Sequence, residues 1–268
     1  MPNYVCIGVP YFVGEQIDGR DEVEVMQHSG IAEALDAPWF NVMPNFDAHD
    51  DPVVAVNHAL AATIKRHQDR TPLIFAADCT SSLGVMKGLQ AHTPAILWYD
   101  AHGDFNTHDT TPSGFLGGMP LAMLVGKGDM RYMRGVDLHP TAERDVIITD
   151  ARDLDPEEAA MLLESQVRHL EDVNELMTAD LPDQPLYIHF DTDVVNTDEM
   201  PGMNYPAAGG PSLDAAAQTL QRVARDATVA GVLFGLWDDR HDTGGKAREA
   251  VLRLVCDFVH AHKESDNA

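Results

Sequence analysis

Short apolar runs that each stop at acidic residues punctuate this chain, and they narrow its possible folds more than any other feature. Pro72–Ala76 leads to Asp78 and Cys79, Ala95–Tyr99 to Asp100, and Val146–Thr149 to Asp153 and Asp155. Leu186–Phe190 leads to Asp191 and Asp193, and Val229–Leu236 to Asp238 and Asp239. A further apolar run, Tyr4–Val9, opens the chain. Between the runs lie helical patterns. Asp51-Pro52 sets a cap and a start for a helix to about Gln68, Ser81-Ser82 opens one to Leu89, another begins near Pro156, and a last one runs from Lys246 to His262. Continuous apolar strands separated by helices require a parallel sheet covered on both faces. With no internal repeat and no low-complexity linker, residues 1–268 read as a single domain.

In such a sheet, ligands bind beyond the carboxyl ends of the strands, which is where every acidic cluster falls. Carboxylates gathered on one sheet edge repel one another, and bound cations are the simplest compensation. The whole chain is acidic, with 43 Asp and Glu against 18 Lys and Arg, a formal charge of -25. That field disfavours nucleic acid and anionic membranes as partners. Cys6, Cys79 and Cys256 form no CxxC and no disulfide framework. The start Met1-Pro2-Asn3-Tyr4 lacks the basic and long apolar segments of a signal peptide, and no apolar run is long enough to span a bilayer. The expectation is a soluble cytoplasmic protein.

Asp100-Ala101-His102-Gly103-Asp104 offers three ligands at alternate positions, which an extended segment would project from one face. Asp191-Thr192-Asp193 could close the same pocket from a neighbouring strand end. Oxygen and imidazole donors in this number suit two divalent cations sharing bridging carboxylates. His189 shares the parity of Asp191 and Asp193, so it could donate a hydrogen bond to a bridging carboxylate or be an ordinary buried histidine. Asp155-Pro156-Glu157-Glu158 reads by itself as an acidic helix N-terminus, favourable against the helix dipole.

The run Asp100 to Thr107 resembles a signature of the ureohydrolases, the arginase and agmatinase superfamily. Phe190-Asp191-Thr192-Asp193 is similar to a second signature, and Ala77-Asp78-Cys79-Thr80-Ser81 to a variant of the first in chain order. The resemblance implies a three-layer α/β/α fold with a mostly parallel central sheet and two Mn²⁺ per subunit. One ion would take Cys79, Asp100, Asp104 and Asp191; the other Asp100, His102, Asp191 and Asp193, with Asp100 and Asp191 bridging. It implies hydrolysis of a guanidino or amidino group by attack of a metal-bridging hydroxide, and assembly into a homo-oligomer. By motif position, Asn106 and Ser113 would hold a substrate α-carboxylate, and Asp155 and Glu158 its α-amino group, which favours an amino acid over agmatine.

Departures from the family pattern refine that expectation. Cys79 stands where most members carry a His ligand, and Gly117 where arginases carry a His that moves protons. His108 could stand in for the latter. Asp104 and Asp238, or Asp239 in place of Asp238, are the expected catalytic carboxylates, and Tyr205 stands near a position where arginases have a smaller polar residue. A Cys in the first motif resembles the Nω-hydroxy-L-arginine amidinohydrolase branch, which releases hydroxyurea and L-ornithine. Plain arginase, formimidoylglutamase and guanidino-acid hydrolase are the enzymatic alternatives. A non-catalytic arginase-like subunit is the alternative of another class.

Overall fold

The computed structural model describes residues 3–265. Eight strands form one sheet: β1 Tyr4–Val9, β2 Trp39–Asn41, β3 Thr71–Ala76, β4 Ala95–His102, β5 Val146–Asp153, β6 Arg168–Leu170, β7 Leu186–Asp191 and β8 Val229–Gly235. Their order is β2-β1-β3-β8-β7-β4-β5-β6, and all pairings in the sheet are parallel. The mostly parallel expectation thus sharpens to a wholly parallel sheet. Two strands were not foreseen. β2 and β6 are three-residue edge strands, and Trp-Phe-Asn and Arg-His-Leu carry no apolar run to reveal them.

Side chains alternate across the sheet and feed two cores. Leu97, Tyr99, Ile188, Phe190 and Phe234 belong to one, which is covered by helices Glu22–Gln27, Leu213–Asp226 and Lys246–Ser265. Ile74, Ile96, Trp98, Tyr187 and Leu233 belong to the other, beneath helices Pro52–Arg66 and Ser82–Leu89. The Pro52–Arg66 helix starts where its sequence requires, with Asp51 accepting from the Val53 amide at 2.8 Å and Pro52 in the first turn, where no amide hydrogen is needed. Helix Leu213–Asp226 was not anticipated, although Leu213, Ala216, Ala217, Leu220, Val223 and Ala224 form an apolar stripe at helical spacing.

β8 separates β3 from β7, and this placement governs the site. Gly235 ends β8 in register with Ala76 on one side and Asp191 on the other. A Cβ at Gly235 would lie 2.8 Å from Asp191 Oδ2. Its lack of a side chain lets Cys79, just beyond β3, meet Asp191 across the intervening strand.

Candidate metal centre

The strand ends deliver their ligands less simply than alternation suggested. β4 stops at His102, and its register against β5 shifts between Asp100 and His102. Asp104 lies beyond the strand with φ +48°, so Asp100, His102 and Asp104 do not share one extended face. The turn is packed closely: a Cβ on Gly103 would come within 2.5 Å of Leu154 Cδ2 and 2.6 Å of Glu158 Oε1. β7 likewise ends at Asp191, and a 3-10 turn over Thr192–Val194 brings in Asp193, whose amide donates to Asp191 Oδ1 at 2.9 Å. Turns, rather than strand periodicity, gather these carboxylates.

Two groups of convergent donors result, and they share Asp100. Asp100, His102 and Asp193 form one; Cys79, Asp100, Asp104 and His189 form the other, each with its donor atoms within 4.8 Å of one another. His102 Nδ1 is 2.9 Å from Asp193 Oδ2 and 3.3 Å from Asp100 Oδ1. Asp191 adjoins the second group, with Cys79 Sγ 3.3 Å from its Oδ2. Six expected ligands, Cys79, Asp100, His102, Asp104, Asp191 and Asp193, therefore line one cavity of about 510 Å³.

The electrostatics of this cavity call for cations. Eight carboxylates line it, and among the described lining residues there is no Lys or Arg. Burial, then the charge of Asp193, lifts the Asp100 carboxyl from 3.8 to about 7. Asp104 and Asp191 are pushed well above the carboxylate range by burial, with Asp100 adding to both and Asp193 to the latter. Burial, then Asp104, Asp191 and Asp100, raises the Cys79 thiol as well. Burial opposes charge on His102, yet its hydrogen bonds to Asp100 and Asp193 outweigh this and raise it to about 12. Asp104 Oδ2 and His189 Nε2 are buried with no hydrogen-bond partner among the described residues. Orphaned donor atoms amid uncompensated carboxylates fit a bound divalent cation.

His189 is fully buried on β7, and burial lowers its imidazole to about 3, so the ring is neutral. It is the register partner of Trp98, and the two rings stack with centroids 3.6 Å apart. The Trp98 indole donates to Asp100 Oδ2 at 3.1 Å. Parity two residues before Asp100 was the sequence signal for Trp98, and it was missed.

The proposed substrate residues also line the cavity, but three are already tied together. Asn106 Nδ2 donates to Asp155 Oδ2 at 2.9 Å. Glu158 accepts from the Phe105 amide at 2.8 Å and the Asp155 amide at 3.1 Å, completing a capping box for helix Pro156–Glu164. Ser113 lies exposed at the rim, 3.3 Å from Thr111 Oγ1.

Gly117 lines the cavity, whereas His108, Asp238 and Asp239 lie outside its lining. A Cβ on Gly117 would sit 2.3 Å from Phe115 Cε1, so the Phe115 ring fills the space into which a side chain there would grow. That ring stacks on Phe12 and tilts against Tyr205, forming an aromatic wall. His108 does not replace the missing histidine: it is half-exposed, pairs with Asp129 at 3.5 Å and is not among the lining residues. Asp238 is buried outside the cavity lining, bound by Arg240 at 2.9 and 2.5 Å, and with its amide oriented to satisfy both partners Asn204 donates to it at 2.8 Å. Asp239, its alternative, also lies outside that lining, within reach of the Trp237 indole at 3.4 Å.

A sequence model of the Arginase family matches residues 17–254. The chain belongs to the arginase family. It is accordingly a hydrolase of the ureohydrolase type, acting on guanidino or amidino groups. The arginase of Bacillus subtilis (strain 168) is 27% identical over 223 residues, covering 76% of this chain and 75% of that one. The fold is shared with the crystal structure of arginase from Bacillus subtilis subsp. subtilis str. 168, at TM-score 0.85 and 22% identity, over 97% of this chain and 98% of the other. It is shared also with Entamoeba histolytica arginase in complex with L-ornithine, at TM-score 0.83 and 20% identity, over 97% and 99% of the two chains.

Proposed function

We propose that this arginase-family hydrolase binds two Mn²⁺ and cleaves the guanidino group of L-arginine or a modified arginine, with Nω-hydroxy-L-arginine favoured. The observation that carries the metal reading is the convergence of Cys79, Asp100, His102, Asp104, Asp191 and Asp193 on one cavity lining that holds no Lys or Arg among the described residues. Cys79, Asp100, Asp104 and Asp191 would hold one ion and Asp100, His102, Asp191 and Asp193 the other. Bound there, such ions would lower the pKa of a water and supply positive charge where negative charge develops.

The chain's own groups account for the rest. The acidic lining draws in a cationic guanidinium. Asn106 and Ser113 are proposed to meet the substrate α-carboxylate, and Asp155 and Glu158 its α-ammonium; all four line the cavity, and Glu158 would do so while also accepting the Phe105 and Asp155 amides. Asp104 would hold the ion through one oxygen and with the other take a proton from the attacking water and return it to the leaving nitrogen. Water adds to the guanidino carbon, the bond to the substrate's side-chain nitrogen breaks, and ornithine leaves with urea or hydroxyurea.

Phe115 supports the modified substrate. It closes the position from which a side chain at 117 could protonate a leaving group, and an N-hydroxyguanidine is less basic and brings its own hydroxyl. With Mn²⁺ added, arginine, Nω-hydroxyarginine, agmatine, formiminoglutamate and guanidino acids are compared by release of urea, hydroxyurea or amine. The expected result is a kcat/KM for Nω-hydroxyarginine at least about ten times that for arginine, a difference of about 1.4 kcal/mol in barrier. Preference for agmatine would overturn the amino-acid reading, and no turnover by metal-loaded protein would favour a non-catalytic subunit. A cytoplasmic location belongs to the same proposal; no helix among the described residues is long and apolar enough to cross a membrane. Homo-oligomeric assembly is read by light scattering.

A further inference from the structure

We infer that His189 is itself a metal ligand, placing its Nε2 on the ion held by Cys79, Asp100 and Asp104. This rests on the metal reading above and changes its ligand set. The ring is held on one face and at Nδ1. Trp98 stacks on its face at 3.6 Å, and Ser82 Oγ at 3.1 Å and Tyr187 OH at 3.4 Å meet Nδ1. Hydroxyl oxygens accept, so Nδ1 can carry the ring proton and leave the Nε2 lone pair facing the carboxylates. A ligating histidine commonly has its second nitrogen fixed by such an outer partner.

Nε2 has no hydrogen-bond partner in a fully buried setting, which is rare for a histidine that merely fills a core. It lies 3.8 Å from Asp100 Oδ2, too far for a hydrogen bond. Two donors each about 2 Å from one ion lie roughly 3 to 4 Å apart, which matches that separation. The remaining donors are within reach, since Nε2 belongs to the group whose atoms all lie within 4.8 Å of one another. Manganese prefers nitrogen and oxygen to sulfur. His189 brings a nitrogen to the group in which Cys79 brings a thiol.

The test uses Mn²⁺ alone, with metal content, equilibrium affinity and electron spin-echo detection of manganese-coordinated imidazole nitrogen. In the His102→Ala variant, which removes the other imidazole, the nitrogen signal persists if His189 ligates. His102→Ala/His189→Ala loses it. His189→Ala and His189→Gln weaken one of the two ions by at least about 100-fold, with near-ultraviolet circular dichroism in chelator confirming the metal-free fold. Absence of the nitrogen signal in His102→Ala overturns the role of His189 without requiring any change at 189, as do unchanged stoichiometry and affinity in His189→Ala. Wild-type protein that takes up no Mn²⁺ overturns the metal reading itself.

Discussion

Asp104 and Gly117 show how single residues set the chemistry. Asp104 enters the site from a left-handed turn, and the proposed function gives one of its oxygens to the ion and the other to the proton. Asp104→Asn should lower kcat by on the order of 1,000-fold, the scale of lost general acid–base catalysis, compounded where an ion is also weakened. Near-normal turnover in metal-loaded Asp104→Asn would remove it from the mechanism. Gly117→His would not restore a proton donor, because its Cβ meets the Phe115 ring at 2.3 Å. The variant should lose about 1–3 kcal/mol of stability in urea unfolding, as an overpacked site does, and Phe115→Ala in the same chain should return most of it. Gly117 could be read in the sequence as a missing histidine. Its occupied surroundings could not, because Phe115 closes that space only through packing with Phe12 and Tyr205.

At the level of elements, β8 explains how distant motifs meet. It lies between β3 and β7, and bare Gly235 allows the Cys79 Sγ to Asp191 contact of 3.3 Å across it. Gly235→Val should leave the strand paired yet displace Asp191. Manganese titration is expected to show at least about tenfold weaker binding, with little change in the metal-free melting temperature. Wild-type affinity in that variant would mean the spacing across β8 is unimportant. The apolar runs made β1, β3, β4, β5, β7 and β8 readable one by one, because two-sided burial demands unbroken hydrophobicity. Strand order was not readable, since nothing local to Val229–Gly235 says that it inserts between Thr71–Ala76 and Leu186–Asp191. Glu158 teaches the complementary lesson. Its motif position pointed to the substrate role proposed above, but nothing local showed that its two oxygens also accept the backbone amides of Phe105 and Asp155.

For the whole molecule, the acidic centre couples stability to pH and metal. The Asp100 carboxyl is raised in the folded state from 3.8 to about 7, so between those values the folded chain binds more protons than the unfolded one. Stability from this group falls as pH rises through that window. His102, raised from 6.5 to about 12, continues the decline above it. Metal-free protein should therefore melt at lower temperature at pH 8 than at pH 5.5, and Mn²⁺ should widen its stabilising effect with pH because binding displaces these protons. Scanning calorimetry with chelator or Mn²⁺ checks both; a metal-free melting temperature that rises over this interval would contradict the account.

The sequence by itself determined the parallel sheet and the family, through buried strands written as apolar runs and through motifs compact enough to read in line. It also marked Cys79, Asp100, His102, Asp104, Asp191 and Asp193, because their motifs resemble the family's signatures position by position. Tertiary structure alone decided that Asp238 is occupied by Arg240, that Phe115 fills the space beside Gly117, and that His189 turns an unpartnered nitrogen toward the carboxylates. Each of those outcomes depends on which groups, remote in the chain, lie within a few ångströms. Contacts of that kind arise from packing across strands and loops, and no local pattern encodes them.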